Sequence, residues 1–337
     1  MMAVPSKLLL ADIAQNCSSI PSNFIRPISD RPNLHDVKTS DASIPLIDLQ
    51  GLTGPGRSKL IKEIGAACLK DGFFQVKNHG IPEAVIDDML CVSKEFFHLP
   101  ESERLKKYSD DPMKTCRLST SFNIKTEKVG SWRDYLRIHC YPLEDFVHEW
   151  PDSPPCFRQV VSEYCKSVRE LALRVLEAIS ESLDLERDFM NKVLSSHAQH
   201  MAINYYPPCP QPELTYGLPG HKDPNVISLL IQDGVSGLQV LRDGKWVAIN
   251  PEPYNLVLSN GKYKSVLHRA VVNSNSARIS IPTFYCPSSD AVIKPPGSLV
   301  DQEHPSIYRS FTYAEYYEKF WDHGMNSESC LDMFKAT

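Results

Sequence analysis

Residues 201–210, Met201-Ala202-Ile203-Asn204-Tyr205-Tyr206-Pro207-Pro208-Cys209-Pro210, open the part of the chain whose reading decides the fold. An apolar run ends there in a proline-rich break. The same alternation recurs at Val226 to Gln232, Gly237 to Leu241, Lys245 to Ile249, Tyr263 to Leu267 and Arg278 to Tyr285, with Gly, Pro, Asn and Asp between the runs. Short strands spaced by about 8–12 residues are the signature of an all-β unit. A jelly roll or small barrel is the assembly that closes such strands with few exposed edges.

Upstream of this unit the pattern is helical. Ile44-Pro45-Leu46-Ile47-Asp48-Leu49 reads as a short strand, and Leu60, Ile61, Ile64, Ala67 and Cys68 then share one helix face. Gly72 to Gly80 returns as a strand ending in a turn, giving a strand, helix, strand unit. Pro82 suits the start of a helix whose stripe runs through Val85, Ile86, Met89, Val92, Phe96 and Phe97. Lys106 to Asn123 is polar and irregular and is expected to cover something; Trp132 to Tyr141 alternates as a strand. Val160, Tyr164, Val168, Leu171, Val175, Leu176, Ile179 and Leu183 mark a long amphipathic helix, and Thr312 to Trp321 an aromatic-rich one near the end. The first 45 residues hold Pro5, Pro21, Pro27, Pro32 and Pro45 and read as an arm, with a short helix at Lys7 to Ala14. The expected class is α+β, a jelly-roll core flanked by helices. Its division is an arm over 1–43, a helical region with short strands over 44–198, the core over 199–290 and a helical segment over 291–337.

Composition narrows the function. The 337 residues carry 36 Lys and Arg against 41 Asp and Glu, a net charge of −5, which leaves no basic footprint for nucleic acid or an anionic membrane. Apolar runs are far shorter than the roughly 20 residues of a membrane span. Met1 to Ala14 offers one lysine and the run Leu8 to Ala11, stopped by Asp12, which is not a signal-peptide pattern. The 10 cysteines include no C-x-x-C pair, pointing to a reduced, cytoplasmic protein, and a monomer is expected.

His221-Lys222-Asp223 carries the chemistry. On a strand or at its edge, residues i and i+2 face the same way, so an imidazole and a carboxylate converge. His268 follows 47 residues later, where an antiparallel return could bring it alongside. Two His and one carboxylate on one face of a metal leave three positions open, the arrangement of non-haem Fe(II) oxygenases. An H-x-D tripeptide with a distant His also arises by chance. Arg278-Ile279-Ser280 lowers that chance, because a guanidinium fork and a hydroxyl on one strand face suit a buried terminal carboxylate. A surface Arg and Ser on an edge strand would be the bland alternative. The tyrosines ahead of Pro207 supply a phenol that could bind the same carboxylate, although a Tyr-Tyr pair often only packs.

These residues together resemble the plant Fe(II)- and 2-oxoglutarate-dependent dioxygenases, from about Ile44 to Phe320. The marks are Gly72-Phe73-Phe74-Gln75-Val76-Lys77-Asn78-His79-Gly80, Asn204-Tyr205-Tyr206-Pro207-Pro208-Cys209-Pro210, His221-x-Asp223, Gly237-Leu238-Gln239-Val240, Ser259-Asn260-Gly261-x-Tyr263-Lys264-Ser265, His268-Arg269 and Arg278-x-Ser280. Within the family the chain is most similar to the downy-mildew-resistance-type oxygenases that hydroxylate salicylic acid. That likeness rests on Arg26-Pro27-x-Ser29-Asp30-Arg31-Pro32, Leu118-Ser119-Thr120-Ser121-Phe122-Asn123, Trp132-Arg133-Asp134-Tyr135-Leu136-Arg137 and Leu218-Pro219-Gly220-His221-Lys222-Asp223.

The resemblance implies Fe(II) on His221, Asp223 and His268, and the far carboxylate of 2-oxoglutarate on Arg278 and Ser280 with Tyr206 and Asn204 assisting. It implies O2 as oxidant, ascorbate as reductant, and a small phenolic acid as substrate, salicylic acid giving a 2,3- or 2,5-dihydroxybenzoic acid. Arg117, Ser119 and Ser121 are candidates for the substrate carboxylate, with solvated loop residues as their other reading. A flavonoid substrate, as for flavanone 3-hydroxylase or flavone synthase, is the rival. His79, His139 and His200 are expected to be structural.

One departure stands out. Between Pro253 and Ser259 only Tyr254 to Leu258 remains, where relatives carry roughly nine residues more, up to about 30 Å of extended chain. One core strand is therefore expected to be shortened or missing near residues 254–258. Either Tyr254 to Leu258 crosses the sheet directly and still delivers His268, leaving a gap or exposed edge, or the third ligand is lost and the chain is a non-catalytic relic.

Overall fold

A computed structural model describes residues 9–15, 17–34, 37, 44–120, 127–260, 266–303, 305–323 and 330–336. The arm contributes α1 (Leu10–Gln15), and the strand, helix, strand unit is β1 (Leu46–Asp48), α2 (Arg57–Lys70) and β2 (Phe73–Lys77). β1 and β2 pair in parallel across their helix. α3 (Glu83–His98) follows, with Pro82 as its N-cap and Glu83 in its first turn, and it stops at Leu99, which precedes Pro100. α4 (Glu101–Leu105), β3 (Cys116–Ser119), β4 (Asp134–Tyr141) and α5 (Leu143–Phe146) lead to α6 (Phe157–Ser182), whose 26 residues make about seven turns. β3 lies inside the stretch expected to be irregular. All four of its residues are buried against β4, and so short an edge strand leaves no lasting period in the sequence.

α7 (Phe189–Val193) precedes the core strands β5 (Ala198–Tyr206), β6 (Leu218–His221), β7 (Ile227–Gln232), β8 (Leu238–Arg242), β9 (Lys245–Ile249), β10 (Leu256–Asn260), β11 (His268–Ala270) and β12 (Arg278–Cys286). The chain ends through β13 (Val292–Ile293), β14 (Phe311–Thr312) and α8 (Tyr313–His323). Two sheets make the jelly roll, one of eight strands in the order β1-β2-β10-β7-β12-β5-β4-β3 and one of four in the order β6-β11-β8-β9.

The expected gap near residues 254–258 does not form. β10 sits inside the large sheet, antiparallel to both β2 and β7, with Leu256 opposite Val76 and Val257 opposite Leu230. Leu256 is fully buried in the main core. Five residues suffice because the chain enters the slot directly from Tyr254, which adopts a positive φ of 59°. A strand was expected over Tyr263 to Leu267 with His268 at its end. Residues 263–265 lie outside the described residues, and His268 instead begins β11.

Period-2 alternation gives the large sheet two different faces. Leu136 and Ile138 of β4, Met201 and Ile203 of β5, Leu229 and Ile231 of β7, and Ile279 and Ile281 of β12 pack with Phe96 of α3 and Val168, Leu171 and Val175 of α6 in the main core. Intervening residues face the small sheet. The arm docks between two clusters: Leu9 is buried in the main core and Leu10 in a second one with Trp132, Tyr206 and Ala270, and the backbone N–H groups of Leu10 and Ala11 donate to Oδ1 and Oδ2 of Asp134 at 3.0 and 2.7 Å. Asp12 pairs with Arg104 at 2.6 Å beside them. Among the described residues no helix is long and apolar enough to cross a membrane.

Candidate active site

β6 and β11 run antiparallel with His221 opposite His268, which sets their rings 4.2 Å apart. Asp223 follows β6 by two residues. Its Oδ1 lies 3.6 Å from His221 Nε2 and 3.7 Å from His268 Nε2. Ligand atoms of all three residues fall within 4.8 Å of one another, and no other such cluster of His, Cys, Asp and Glu occurs among the described residues.

The donor atoms are also oriented. His221 Nδ1 contacts the Pro219 carbonyl at 2.9 Å and His268 Nδ1 the Val266 carbonyl at 3.2 Å, which turns both Nε2 atoms inward. Ser228 donates its hydroxyl to Asp223 Oδ2 at 2.7 Å, leaving Oδ1 for the cluster. Burial, and then the neighbouring His268, push the pKa of His221 well below its ordinary value, so its imidazole is neutral. A neutral imidazole held through its second nitrogen is the form a metal requires.

The sheet floor beside this cluster is built by register. Ser280 on β12 faces Asn204 on β5, and Arg278 faces Tyr206. Asn204 Nδ2 donates to the Ser280 carbonyl at 3.2 Å, and the Ser280 hydroxyl reaches the Tyr206 hydroxyl at 3.5 Å. Arg278 lies over the Tyr206 ring, donates through Nε to the Val235 carbonyl at 3.1 Å and through Nη2 to Gln232 at 2.9 Å, and keeps a buried Nη1 with no partner. An orphaned guanidinium nitrogen beside a serine hydroxyl and a tyrosine suits the carboxylate of an acidic ligand.

Two matches decide the family. Residues 44–153 match the non-haem dioxygenase in morphine synthesis N-terminal family, and residues 197–287 match the 2OG-Fe(II) oxygenase superfamily. Protein DMR6-LIKE OXYGENASE 2 of Arabidopsis thaliana is 60% identical over 343 residues, spanning 98% of this chain and 99% of that protein. The chain belongs to the 2OG-Fe(II) oxygenase superfamily. Flavanone 3-dioxygenase 2 of Oryza sativa subsp. japonica is 51% identical over 94% of this oxygenase and 95% of its own length. A crystal structure of JOX2 in complex with 2OG, Fe and JA superposes with a TM-score of 0.88 at 31% identity, covering 98% of each chain.

The oxygenase is therefore an oxidoreductase whose cofactors are Fe(II) and 2-oxoglutarate, with O2 as oxidant. Two imidazole nitrogens and a carboxylate oxygen fit Fe(II) and would hold it. Arg278 Nη1, Ser280 and Tyr206 fit the far carboxylate of 2-oxoglutarate. Asn204 is a step removed, because its amide is engaged with Ser280 and with Arg133.

A cavity of about 90 Å³ adjoins the cluster. His221 and Asp223 form one end, Tyr135, Phe284, Tyr317 and Trp321 supply aromatic walls, and Arg133, Arg137 and His200 supply polar ones. His200 is neutral, since burial and then His139 and Arg137 hold its pKa far down. Arg117 and Ser119, the sequence candidates for the substrate carboxylate, do not line this cavity. They lie one strand further out on β3, where Arg117 hydrogen-bonds the Tyr135 hydroxyl, the Ser119 hydroxyl at 3.1 Å and the Ser109 carbonyl at 2.9 Å. Ser121 lies outside the described residues. The missed residues had a signal: Arg133, Tyr135 and Arg137 occupy alternate positions and hence one strand face.

Proposed function

We propose that this oxygenase hydroxylates salicylic acid, a small phenolic acid, to a 2,3- or 2,5-dihydroxybenzoic acid. The observation that carries this reading is the charge of the cavity. Arg133 and Arg137 are 4% and 8% exposed, and among the described residues the one carboxylate lining the cavity with them is Asp223, a residue that would bind the metal. Buried cations without counter-charge are costly, and an anionic substrate supplies that charge. A neutral flavanone does not.

Fe(II) with 2-oxoglutarate and O2 supplies the oxidising power: one oxygen atom enters the ring C–H bond as hydroxyl, the other enters succinate, and CO2 leaves. The chain's own residues then have defined tasks. His221, Asp223 and His268 hold the metal, Arg278 and Ser280 fix the far end of the co-substrate, and the aromatic walls keep the ring beside the cluster and exclude water.

The test is product analysis with purified protein, Fe(II), 2-oxoglutarate and ascorbate, offering salicylate and naringenin in parallel. A dihydroxybenzoate formed with one succinate per product supports the reading. Hydroxylated flavanone with no salicylate product would overturn it in favour of the activity named for the rice relative. No turnover of either, with no metal bound, would mark a non-catalytic chain.

A further inference from the structure

We infer that Arg133 is the specificity-determining residue of this oxygenase, receiving the substrate's carboxylate on the side-on edge of its guanidinium. The inference rests on the reading of an anionic phenolic substrate and adds which group recognises it. Three buried arginines approach the cluster and the co-substrate floor, and their hydrogen bonds separate their roles. Arg278 uses Nε and Nη2 on Val235 and Gln232, so its side-on edge is closed and only Nη1 remains. Arg137 gives Nη2 to the carbonyls of Pro112 and Lys114 at 2.6 and 2.7 Å, which leaves its buried Nε as a single donor rather than half of a fork.

Arg133 is arranged the other way. Its Nη1 donates to Asn204 Oδ1 at 2.8 Å, while Nε is buried with no partner and Nη2 makes no hydrogen bond to a described residue. Nε and Nη2 lie on one edge and present two parallel N–H groups at the spacing of a carboxylate's oxygens. The guanidinium is held in place for this: it lies 4.6 Å over the Tyr135 ring, and Asn204, its partner on the other side, is itself tied to Ser280. Arg133 lines the same cavity as His221 and Asp223. A benzoate docked on the open edge would have its ring between the aromatic walls and the cluster, whereas a neutral ligand would leave the fork unpaired.

Salicylate and salicylamide share ring and hydroxyl and differ in charge, so they test the fork directly. Turnover is measured for the wild-type chain, Arg133→Met and Arg133→Lys with Fe(II) and 2-oxoglutarate, and salicylate binding to the metal-free proteins by calorimetry. The wild type should prefer salicylate over salicylamide by about 10- to 100-fold in kcat/KM, and Arg133→Met should erase that preference. Salicylate affinity should fall by the same factor, 2-oxoglutarate KM should stay within about twofold, and Arg133→Lys should restore part of the preference. A cooperative melting curve for each protein shows that each variant is folded. A wild type indifferent to the charge overturns the inference without any variant, as does salicylate affinity unaltered by Arg133→Met. A rise in 2-oxoglutarate KM equal to the loss for salicylate would overturn it by making Arg133 a co-substrate contact. Arg133-dependent salicylate binding without hydroxylated product would instead sink the proposed activity and leave the recognition site standing.

Discussion

Gly237→Ala tests how the co-substrate arginine is held. A Cβ at Gly237 would sit 2.8 Å from Arg278 Cδ, 2.9 Å from Arg278 Nε and 2.9 Å from the Val271 carbonyl oxygen, each at least 0.5 Å inside the 3.4 Å where ordinary contact begins. The carbonyl cannot retreat, since the Gly237 carbonyl accepts the Val271 N–H at 2.8 Å and locks the two backbones together. Overpacking of this kind costs about 1–3 kcal/mol of stability. The flexible partner is Arg278, so its side chain shifts and the Nε bond to the Val235 carbonyl at 3.1 Å is the first to break. Loss of one such tether is about 1–1.5 kcal/mol, or close to a tenfold rise in 2-oxoglutarate KM. The assay is succinate formation against 2-oxoglutarate concentration, with a melting curve and calorimetric metal titration alongside. Metal binding should hold, because none of the atoms met by the new methyl belongs to a ligand. A folded variant with unchanged 2-oxoglutarate KM would refute the argument.

Ser228→Ala removes the hydroxyl that steers Asp223 and should weaken metal binding about 10- to 100-fold with little effect on folding, as read by calorimetry with Mn(II). Leu256→Ala should cost about 2–5 kcal/mol in denaturant unfolding; a cost well under 1 would mean that β10 does not occupy the sheet interior. Asp134 has its pKa raised from 3.8 to about 7, mainly by complete burial, against the opposing N–H groups of Ala11 and Leu10 and the charge of Arg104, with Asp12 adding to the rise. Its contribution to stability is full below about pH 4 and is lost as pH rises through about 7, by up to about 4 kcal/mol. The stability of the wild type relative to Asp134→Asn should therefore fall between pH 5 and pH 8, and a rise would contradict the burial argument.

The candidate metal ligands His221 and Asp223 and the candidate co-substrate pair are legible because each is an i, i+2 pair on or beside a strand, a relation that sequence states directly. His221-x-Asp223 and Arg278-x-Ser280 need only the strand assignment. The meeting of His268 with His221 is tertiary, and spacing alone left it open because the shortened segment between them could have displaced β11. Pairing on both sides of β10 settles its path. The substrate wall was harder to read, since Arg117 and Arg133 are both arginines near strands. Position and hydrogen bonding separate them: Arg117 lies one strand further out and is spent on Tyr135, Ser119 and Ser109, whereas Arg133 lines the cavity with Nε unpartnered. The role of Asp134 carried no signal, because its partners are backbone groups 123 and 124 residues away.

β4 is read from two sides at once. Arg133, just ahead of it, Tyr135 and Arg137 address the cavity, while Asp134 between them grips the backbone of α1 at Leu10 and Ala11. A rigid strand transmits displacement from one side to the other, because neighbouring residues share a peptide plane. The α1 segment is thus joined through one strand to the wall of the cavity beside His221 and Asp223. A substitution at Leu10 or Ala11 is therefore expected to shift kcat/KM for the substrate through β4, and an unchanged value would show that the strand carries no such displacement.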